Sequence, residues 1–401
     1  MKTQHNILVF TYWSFNDALI QTYTLPYLRL IKSLGPENIS ITLVTLEQNH
    51  KEIESVKKVT DSDFSVFPLP YFPFGAKAVL KWLKNISVLK KLAKEKKINT
   101  IHTWCTPAGM IGYILHKRTG IKLIADSFEP HAGSMVENGT WKKNSPAFKI
   151  LFRYEKLIAK HAEKIIAIAP GMEKYISETY NVETKDLPVK PACVDLNKFS
   201  EKNKKDANLL KELGLTGKTV ALYAGKFGGI YLDKEVFAFF KTAYDFWGDN
   251  LRILLLTNEE KDKLKKRISE AGIPETIFVI KFVPHKEIPV YMGLADFAIC
   301  PVKSVYTKRF CSPIKTGEYW ALGLPVIITQ NISNDSEIIE KNKAGYVWKE
   351  LNEKEFKNSV VAINKMLTEN SSEQLYQMIR PLAEKYRNYK LAARIYKTIY
   401  D

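Results

Sequence analysis

The chain has 401 residues, 45% of them hydrophobic, with a formal net charge of +17 and an isoelectric point near 9.4. This length predicts two domains, and the lack of a long apolar run or a leader pattern argues against a membrane-spanning or secreted protein. We therefore expect a cytoplasmic protein with reduced cysteines. The charge predicts a polyanionic partner: nucleic acid, an anionic membrane surface or phosphorylated ligands.

Short apolar segments alternate with amphipathic helical patterns along the chain. In chain order the strand-like segments are 5–10, 39–46, 98–104, 121–127 and 164–170, and then, after a polar linker, 219–225, 251–257, 277–283, 296–302 and 323–329. This alternation predicts βαβ units with parallel sheets. We predict an α/β fold of two tandem doubly wound, Rossmann-like domains facing a cleft. The domains are residues 1–195, joined by a returning C-terminal helix at about 383–401, and residues 205–382.

One predicted helix start in the second domain carries a lysine and a glutamate three residues apart. In "CSPIKTGEYWALGLPVIIT" (311–329), Ser312 is predicted to cap a helix that has Pro313 at its first position. Free N–H groups at such a start suit a diphosphate, to which Lys315 adds a charge, and Glu318 can accept hydrogen bonds from two vicinal hydroxyls. An ordinary capped helix with a surface Lys–Glu pair is the alternative.

The segment "SPIKTGEYWALGLPVI" resembles the nucleotide-binding segment of retaining family 4 glycosyltransferases of the GT-B fold, in a branch with a Ser-Pro-x-Lys-x-Gly-Glu-Tyr motif. "LYAGKFGGIY" (222–231) resembles the glycine-rich turn of that family, and the resemblance spans about residues 100–350. It implies that Glu318 binds the ribose and that Lys226 and Lys315 act catalytically on the diphosphate. The other implied donor-binding residues are Gly225, Gly228, Gly229, Ser312, Pro313 and Ile314.

The first domain is expected to bind the acceptor. In "DSFEPHAGSMVENGTW" (126–141), His131 resembles the family histidine that approaches the transferred sugar, and it is our third catalytic candidate. Asp126 and Glu129 are predicted to bind acceptor hydroxyls, as is Asn16 in the first loop. The alternative for His131 is a loop histidine with a structural hydrogen bond.

The predicted activity is transfer of a sugar, with retention, from a UDP or GDP sugar to a glycan or lipid-linked glycan in cell-surface polysaccharide synthesis. No acid pair stands out, so the leaving diphosphate is expected to take the acceptor proton. We expect no cofactor and no required metal. Phe310 replaces the second glutamate of the common family pattern, which leaves a nucleotide-sugar epimerase of the same fold as the alternative. A polyanion-binding protein is a further alternative, but no nucleic-acid-binding motif is present, so no nucleic-acid partner is predicted.

A basic aromatic segment at 67–97 combines a proline-rich loop, displaying Phe67, Tyr71, Phe72 and Phe74, with a lysine-rich helix. Such a segment suits peripheral docking on the anionic inner face of a membrane. The alternative is a packed domain helix whose lysines form a solvated face.

Overall fold

The computed structural model describes residues 3–73, 79–184 and 186–400, apart from the side chain of Val79. The chain divides into two compact units. The first unit is Met1–Pro191 with Lys390–Asp401, and the second unit is Ala192–Tyr389. The sequence placed the corresponding boundaries at 195, 205 and 382–383.

A six-stranded parallel sheet forms the centre of the first unit, with the strand order β3-β2-β1-β4-β5-β6. Its strands are β1 His5–Phe10, β2 Ile39–Glu47, β3 Ser65–Pro70, β4 Thr100–Trp104, β5 Lys122–Phe128 and β6 Lys164–Ala167. The second unit repeats this plan in the order β12-β11-β10-β7-β8-β9. Its strands are β7 Thr219–Ala224, β8 Leu251–Leu256, β9 Phe278–Lys281, β10 Phe297–Cys300, β11 Val326–Thr329 and β12 Gly345–Trp348.

Helices connect the strands of both sheets. Those of the first unit are α1 Leu25–Leu34, α2 His50–Lys57, α3 Val79–Glu95, α4 Cys105–Thr119, α5 His131–Glu137, α6 Pro146–His161 and α7 Met172–Tyr175. The second unit contributes α8 Ala207–Glu212, α9 Lys234–Trp247, α10 Lys261–Glu270, α11 Ile288–Met292, α12 Ile314–Ala321, α13 Asp335–Asn342, α14 Glu353–Glu369 and α15 Ser372–Tyr386, and the chain closes with α16 Tyr389–Tyr400. The predicted fold class, two tandem α/β domains with parallel sheets, is confirmed.

The sequence missed one strand in each unit, and each missed strand lies at a sheet edge. The predicted proline-rich loop was wrong at Phe67, which belongs to β3 and pairs with Val44 of β2. Pro68 and Pro70 lack the N–H of a ladder bond, which an edge strand tolerates because one side of it has no partner strand. Phe74 of the predicted loop lies outside the described residues.

The carboxyl ends of both sets of parallel strands place loops where ligands of doubly wound sheets bind. In the first unit these loops follow β1, β2 and β5. In the second unit they follow β7 and β10. Among the described residues, no helix is long and apolar enough to cross a membrane.

Candidate active site

The glycine-rich turn of the second unit lies directly against the start of α12. Gly225 follows β7 with a φ of 132°, a conformation that L side chains rarely adopt. A Cβ at Gly225 would lie 2.1 Å from the Lys315 Nζ, so the lysine ammonium lies directly against this backbone. The Lys315 Nζ also lies 4.4 Å from the centroid of the Tyr231 ring. The structure therefore brings together Gly225 and Lys315, which are 90 residues apart.

The rest of this turn is fixed by an aromatic pair beneath it. The Tyr223 hydroxyl donates to the Lys226 carbonyl at 2.5 Å, and the Tyr223 ring stacks on Phe227 with centroids 4.4 Å apart. The Lys226 side chain is exposed, and Gly228 and Gly229 follow with positive φ. The turn thus presents backbone and an exposed lysine at the carboxyl end of β7, where an anionic group can approach.

The start of α12 differs from the prediction. Ser312 does not cap the helix, which begins at Ile314 after an extended Pro313. The Ser312 hydroxyl instead accepts hydrogen bonds from the Ala192 N–H at 3.0 Å and from the Arg387 guanidinium. The predicted cap was therefore wrong, because tertiary partners occupy the serine oxygen. Pro313, at the N-cap position, makes no side-chain hydrogen bond to the first N–H groups of α12.

Glu318 lies one turn into α12 and is only 7% exposed. Burial raises the pKa of its carboxyl to about 7, although Lys315 acts in the opposite direction. A buried carboxylate is stabilised when it accepts hydrogen bonds. Glu318 is thus suited to a ligand with hydroxyl donors, next to a lysine suited to phosphate.

The side of α12 that faces Val194 and Arg387 is closely packed. A Cβ at Gly317 would lie 2.8 Å from Val194 Cγ2 and 2.9 Å from Arg387 Cγ. Arg387 is 1% exposed and pairs with the buried Asp335 at the start of α13. No sequence pattern indicates the pair of Arg387 and Asp335, because the two residues are far apart in the chain and meet only on folding.

Phe310 ends a short helical turn, Tyr306–Phe310, and is 6% exposed. Its ring packs edge-on against Tyr306 with centroids 5.7 Å apart. The position that carries an acid in the common family pattern is therefore occupied here by a packed aromatic side chain.

In the first unit, His131 is the first residue of α5. Its Nδ1 lies 3.3 Å from a Glu129 carboxylate oxygen, and both side chains are partly exposed. The Ala132 N–H donates at 2.8 Å to Glu155 of α6, a residue that the sequence analysis did not single out. The structure thus brings together two predicted residues, His131 and Glu129, at the carboxyl end of β5.

Asp126 is fully enclosed. Its carboxylate lies 3.2 Å from Lys190 Nζ and 3.1 Å from His102 Nε2, and it accepts a hydrogen bond from the Tyr396 hydroxyl of α16 at 2.7 Å. Burial opposes ionisation, but Lys190, His102 and Tyr396 together lower the pKa of Asp126 to about 2. Asp126 therefore links β4, β5 and α16 inside the unit, and its partner His102 is likewise 0% exposed.

Asn16 is exposed on the loop after β1, beside a cavity of about 510 Å³. The buried Glu47 shapes this loop by accepting hydrogen bonds from the Phe15 N–H at 3.0 Å and from the Ser14 hydroxyl. The cavity combines aromatic and polar side chains, among them Tyr12, Trp13, Ser14, Asn16, Gln48 and Tyr71. A larger cavity of about 1070 Å³ lies between α9 and α14, and none of the predicted site residues lines it.

Two family models match the chain. Residues 27–198 match the Glycosyltransferase Family 4 model, and residues 216–385 match the Glycosyl transferases group 1 model. No curated protein matches the chain by sequence.

Solved structures resemble the whole chain at low identity. The sucrose-phosphate synthase (tll1590) of Thermosynechococcus elongatus is 15% identical with a TM-score of 0.75, over 99% of this chain and 98% of that one. Anabaena Alr3699/HepE, solved with UDP-glucose, is 13% identical with a TM-score of 0.71, over 98% and 99%. WaaG, a glycosyltransferase involved in lipopolysaccharide biosynthesis, is 10% identical with a TM-score of 0.69, over 97% and 99%. These likenesses confirm the predicted GT-B fold.

Proposed function

Because the two halves of the chain are a Glycosyltransferase Family 4 domain and a Glycosyl transferases group 1 domain, we propose that this protein is a retaining glycosyltransferase. It moves a sugar from a UDP or GDP sugar to a glycan or lipid-linked glycan in cell-surface polysaccharide synthesis. The observation that carries the proposal is the contact of Lys315 with Gly225, with Glu318 buried one turn further along α12. The resemblance to Anabaena HepE, solved with UDP-glucose, supports the donor class, and WaaG supports the pathway.

The donor half of the mechanism follows from charge. The start of α12, Lys315 and the exposed Lys226 stabilise the diphosphate as it leaves, and Glu318 accepts hydrogen bonds from the ribose hydroxyls. The donor C1–oxygen bond breaks while the acceptor oxygen bonds to C1 on the same face. The acceptor proton passes to the departing phosphate oxygen, so no carboxylate nucleophile is needed.

We assign His131 to the transferred sugar on the strength of the family resemblance. Its Glu129 neighbour, 3.3 Å from Nδ1, orients the imidazole so that Nε2 is left for substrate. Glu129 also keeps its proposed role towards the acceptor. Asp126 is enclosed by its own partners and does not contact the acceptor in our proposal.

We place the acceptor in the cavity beside Asn16. Half-buried aromatic rings such as Tyr12, Trp13 and Tyr71 match the apolar faces of sugar rings, and the amides of Asn16 and Gln48 match their hydroxyls. The cavity lies at the carboxyl ends of β1 and β2, where this sheet type binds ligands.

A nucleotide-sugar epimerase remains the second candidate, and Phe310 is the observation that favours it. A packed phenyl ring cannot bind a sugar hydroxyl as the expected acid would. The two activities differ in product, since an epimerase inverts a ring carbon of the sugar, whereas a transferase leaves the sugar unchanged.

A thermal-shift screen over UDP, GDP and their sugars, with and without EDTA, tests the donor class. We expect one nucleotide class to raise the melting temperature, since a ligand at about 100 times its Kd stabilises by about 2.7 kcal/mol. EDTA is expected to leave that shift unchanged, because Lys315 and Lys226 supply the positive charge. A shift that requires Mg²⁺ or Mn²⁺ would contradict the metal-free mechanism, and no shift with any nucleotide would contradict the proposal.

We also propose that α3 docks on an anionic membrane. Trp82, Ile86 and Leu89 pack into the unit, while Leu80 is 79% exposed and Leu83 is 41% exposed. Five exposed lysines lie on the same helix, two of them next to these leucines and three on its later turns: Lys81, Lys84, Lys90, Lys91 and Lys94. Lys77, which the sequence placed in the same segment, lies outside the described residues. The helix thus has a packed side and a basic face with two exposed leucines, the pattern that binds anionic lipid.

Reversal of four lysines of α3 to glutamate is expected to weaken sedimentation with phosphatidylglycerol vesicles at least tenfold, at about 1 kcal/mol per lysine near the surface. The variant changes Lys81, Lys84, Lys90 and Lys91. A matched control reverses four exposed lysines of α10, which alters net charge equally: Lys261, Lys263, Lys265 and Lys266. Equal losses in the two variants would favour a solvated face without a membrane role.

A further inference from the structure

Glu155 is a buried carboxyl in the middle of α6, with 0% exposure. One of its oxygens accepts the Ala132 N–H at 2.8 Å, and the other accepts the Tyr180 hydroxyl at 2.8 Å. Burying a carboxyl is costly, and the cost is offset only where hydrogen bonds replace those of water. The position of these two bonds therefore indicates what the residue contributes.

The Ala132 bond lies at the start of α5, immediately after His131. The first N–H groups of a helix have no partner within the helix, and Pro130, at the N-cap, supplies no side-chain bond to them. Glu155 takes one of these N–H groups from a neighbouring helix. The N–H of the residue after His131 is thereby bonded to α6, while the His131 imidazole is bonded to Glu129.

We propose that Glu155 is a positioning residue for His131. It bonds the first turn of α5 to α6 and so fixes where the imidazole projects. The inference rests on the proposed function, because it concerns the histidine assigned there to the transferred sugar. The Tyr180 hydroxyl satisfies the other carboxyl oxygen and does not contact α5 in this role, and its segment, Ile176–Tyr180, follows α7.

The charges around Glu155 are consistent with this role. Burial raises the pKa of the Glu155 carboxyl to about 7. The Ala132 N–H, the Tyr180 hydroxyl and His131 act to lower this pKa, and Glu129 acts to raise it. On the side of α6 that faces α4, the contact is apolar: Gly109 of α4 packs against Ile158 of α6. A carboxylate can accept from both of its partners, whereas the protonated form turns one oxygen into a donor. Both protonation states keep the two partners, because the Tyr180 hydroxyl donates to the carboxylate and accepts from the protonated carboxyl.

Three variants separate positioning from general support. Glu155→Ala removes both bonds, Glu155→Gln retains an oxygen for the Ala132 N–H, and Tyr180→Phe removes only the hydroxyl bond and serves as the matched control. The measured quantities are amide hydrogen exchange at Ala132 and the release of nucleoside diphosphate from whichever UDP or GDP sugar binds.

We expect Glu155→Ala to accelerate exchange at Ala132 and to lower kcat about 100-fold with the donor KM within about twofold, since a displacement of about 1 Å costs this much. Glu155→Gln should restore kcat to within about fivefold of the wild-type value, and Tyr180→Phe should stay within about threefold. If Glu155→Ala does not fold, exchange and kcat in Glu155→Gln and Tyr180→Phe still test the inference. A glutamine variant whose kcat is as low as that of His131→Ala would overturn it.

The exchange measurement needs no catalysis, so the two proposals fail separately. Accelerated exchange without any nucleotide-sugar turnover in the wild type would overturn the function and leave the bond to α5 in place. Normal turnover with an unaltered kcat in Glu155→Ala would overturn the positioning role alone.

Discussion

Glu318→Ala is expected to lower the affinity for the nucleotide-sugar donor about 100-fold or more. In our account its carboxylate accepts two ribose hydrogen bonds, and bonds to a charged group are worth about 1.5–3 kcal/mol each. Calorimetry with the UDP or GDP sugar that binds the wild type measures the change. Glu337→Ala, which removes an exposed glutamate of α13, is the matched control and should bind normally.

The role of Glu318 also predicts the direction in which donor affinity changes with pH. Burial raises the pKa of Glu318 to about 7, whereas ribose hydroxyls bond best to the ionised form. Affinity for a nucleotide-sugar diester should therefore rise as pH increases through about 7, and Glu318→Ala should remove that rise. Unchanged affinity in the alanine variant would contradict the assignment of Glu318 to the ribose.

The contribution of Glu318 to folding stability should change with pH in the opposite direction to donor affinity. Because its folded pKa is raised above the usual 4.5, its contribution is fully present below pH 4.5 and is lost as pH increases through about 7. Glu318→Ala should therefore remain folded at neutral pH, so that the loss of binding can be attributed to the site.

Lys190→Met is expected to destabilise the first unit by about 3–5 kcal/mol, because it leaves the Asp126 carboxylate buried without its ammonium partner. At about 2–4 °C per kcal/mol, the melting temperature of that unit should fall by roughly 10 °C in calorimetry. Lys122→Met is the matched control: it removes a lysine from an exposed pair with Glu163 at 3.0 Å and should cost under about 1 kcal/mol.

The pH profile distinguishes an ion pair from simple packing. The wild-type pKa of Asp126 is lowered to about 2, so its stabilisation is present above pH 3.8 and is lost as pH falls through about 2. In Lys190→Met the ammonium is gone and burial dominates, so stability should instead decline as pH rises. The double variant Asp126→Asn with Lys190→Met should recover part of the loss. A loss in Lys190→Met no larger than in Lys122→Met would contradict the role of this cluster.

Much of the fold could be predicted from the sequence because both units are built from apolar strands that differ plainly from their helices. The two strands that were missed, β3 and β12, are edge strands. β3 carries Pro68 and Pro70, and β12 is only four residues long and begins with Gly345. The other two edge strands, β6 and β9, were predicted from their apolar runs, so the proline and glycine residues, and not the edge position alone, hide β3 and β12 from the hydrophobic pattern.

The proposed donor segment stands out in the sequence because its residues lie within short windows, 225–229 and 312–318, where spacing and chemistry are visible together. What could not be predicted were the groups that support the site from a distance. Glu155, Lys190 and Arg387 are single charged residues in a chain with 60 basic and 43 acidic residues, and no local motif distinguishes them. Their partners come from other elements, and Ser312 was mistaken for a cap because its true partners, Ala192 and Arg387, are known only from the packing.

The central claim is that the protein transfers the sugar of a nucleotide donor with retention. Proton NMR of the protein with UDP and GDP sugars tests it most directly, because slow transfer to water requires no known acceptor. We predict release of nucleoside diphosphate from one donor class, with the sugar unchanged at every ring carbon and its first-formed anomer matching that of the donor. A sugar inverted at a ring carbon other than C1 would indicate the epimerase, and no release from any donor, with no binding, would contradict the account.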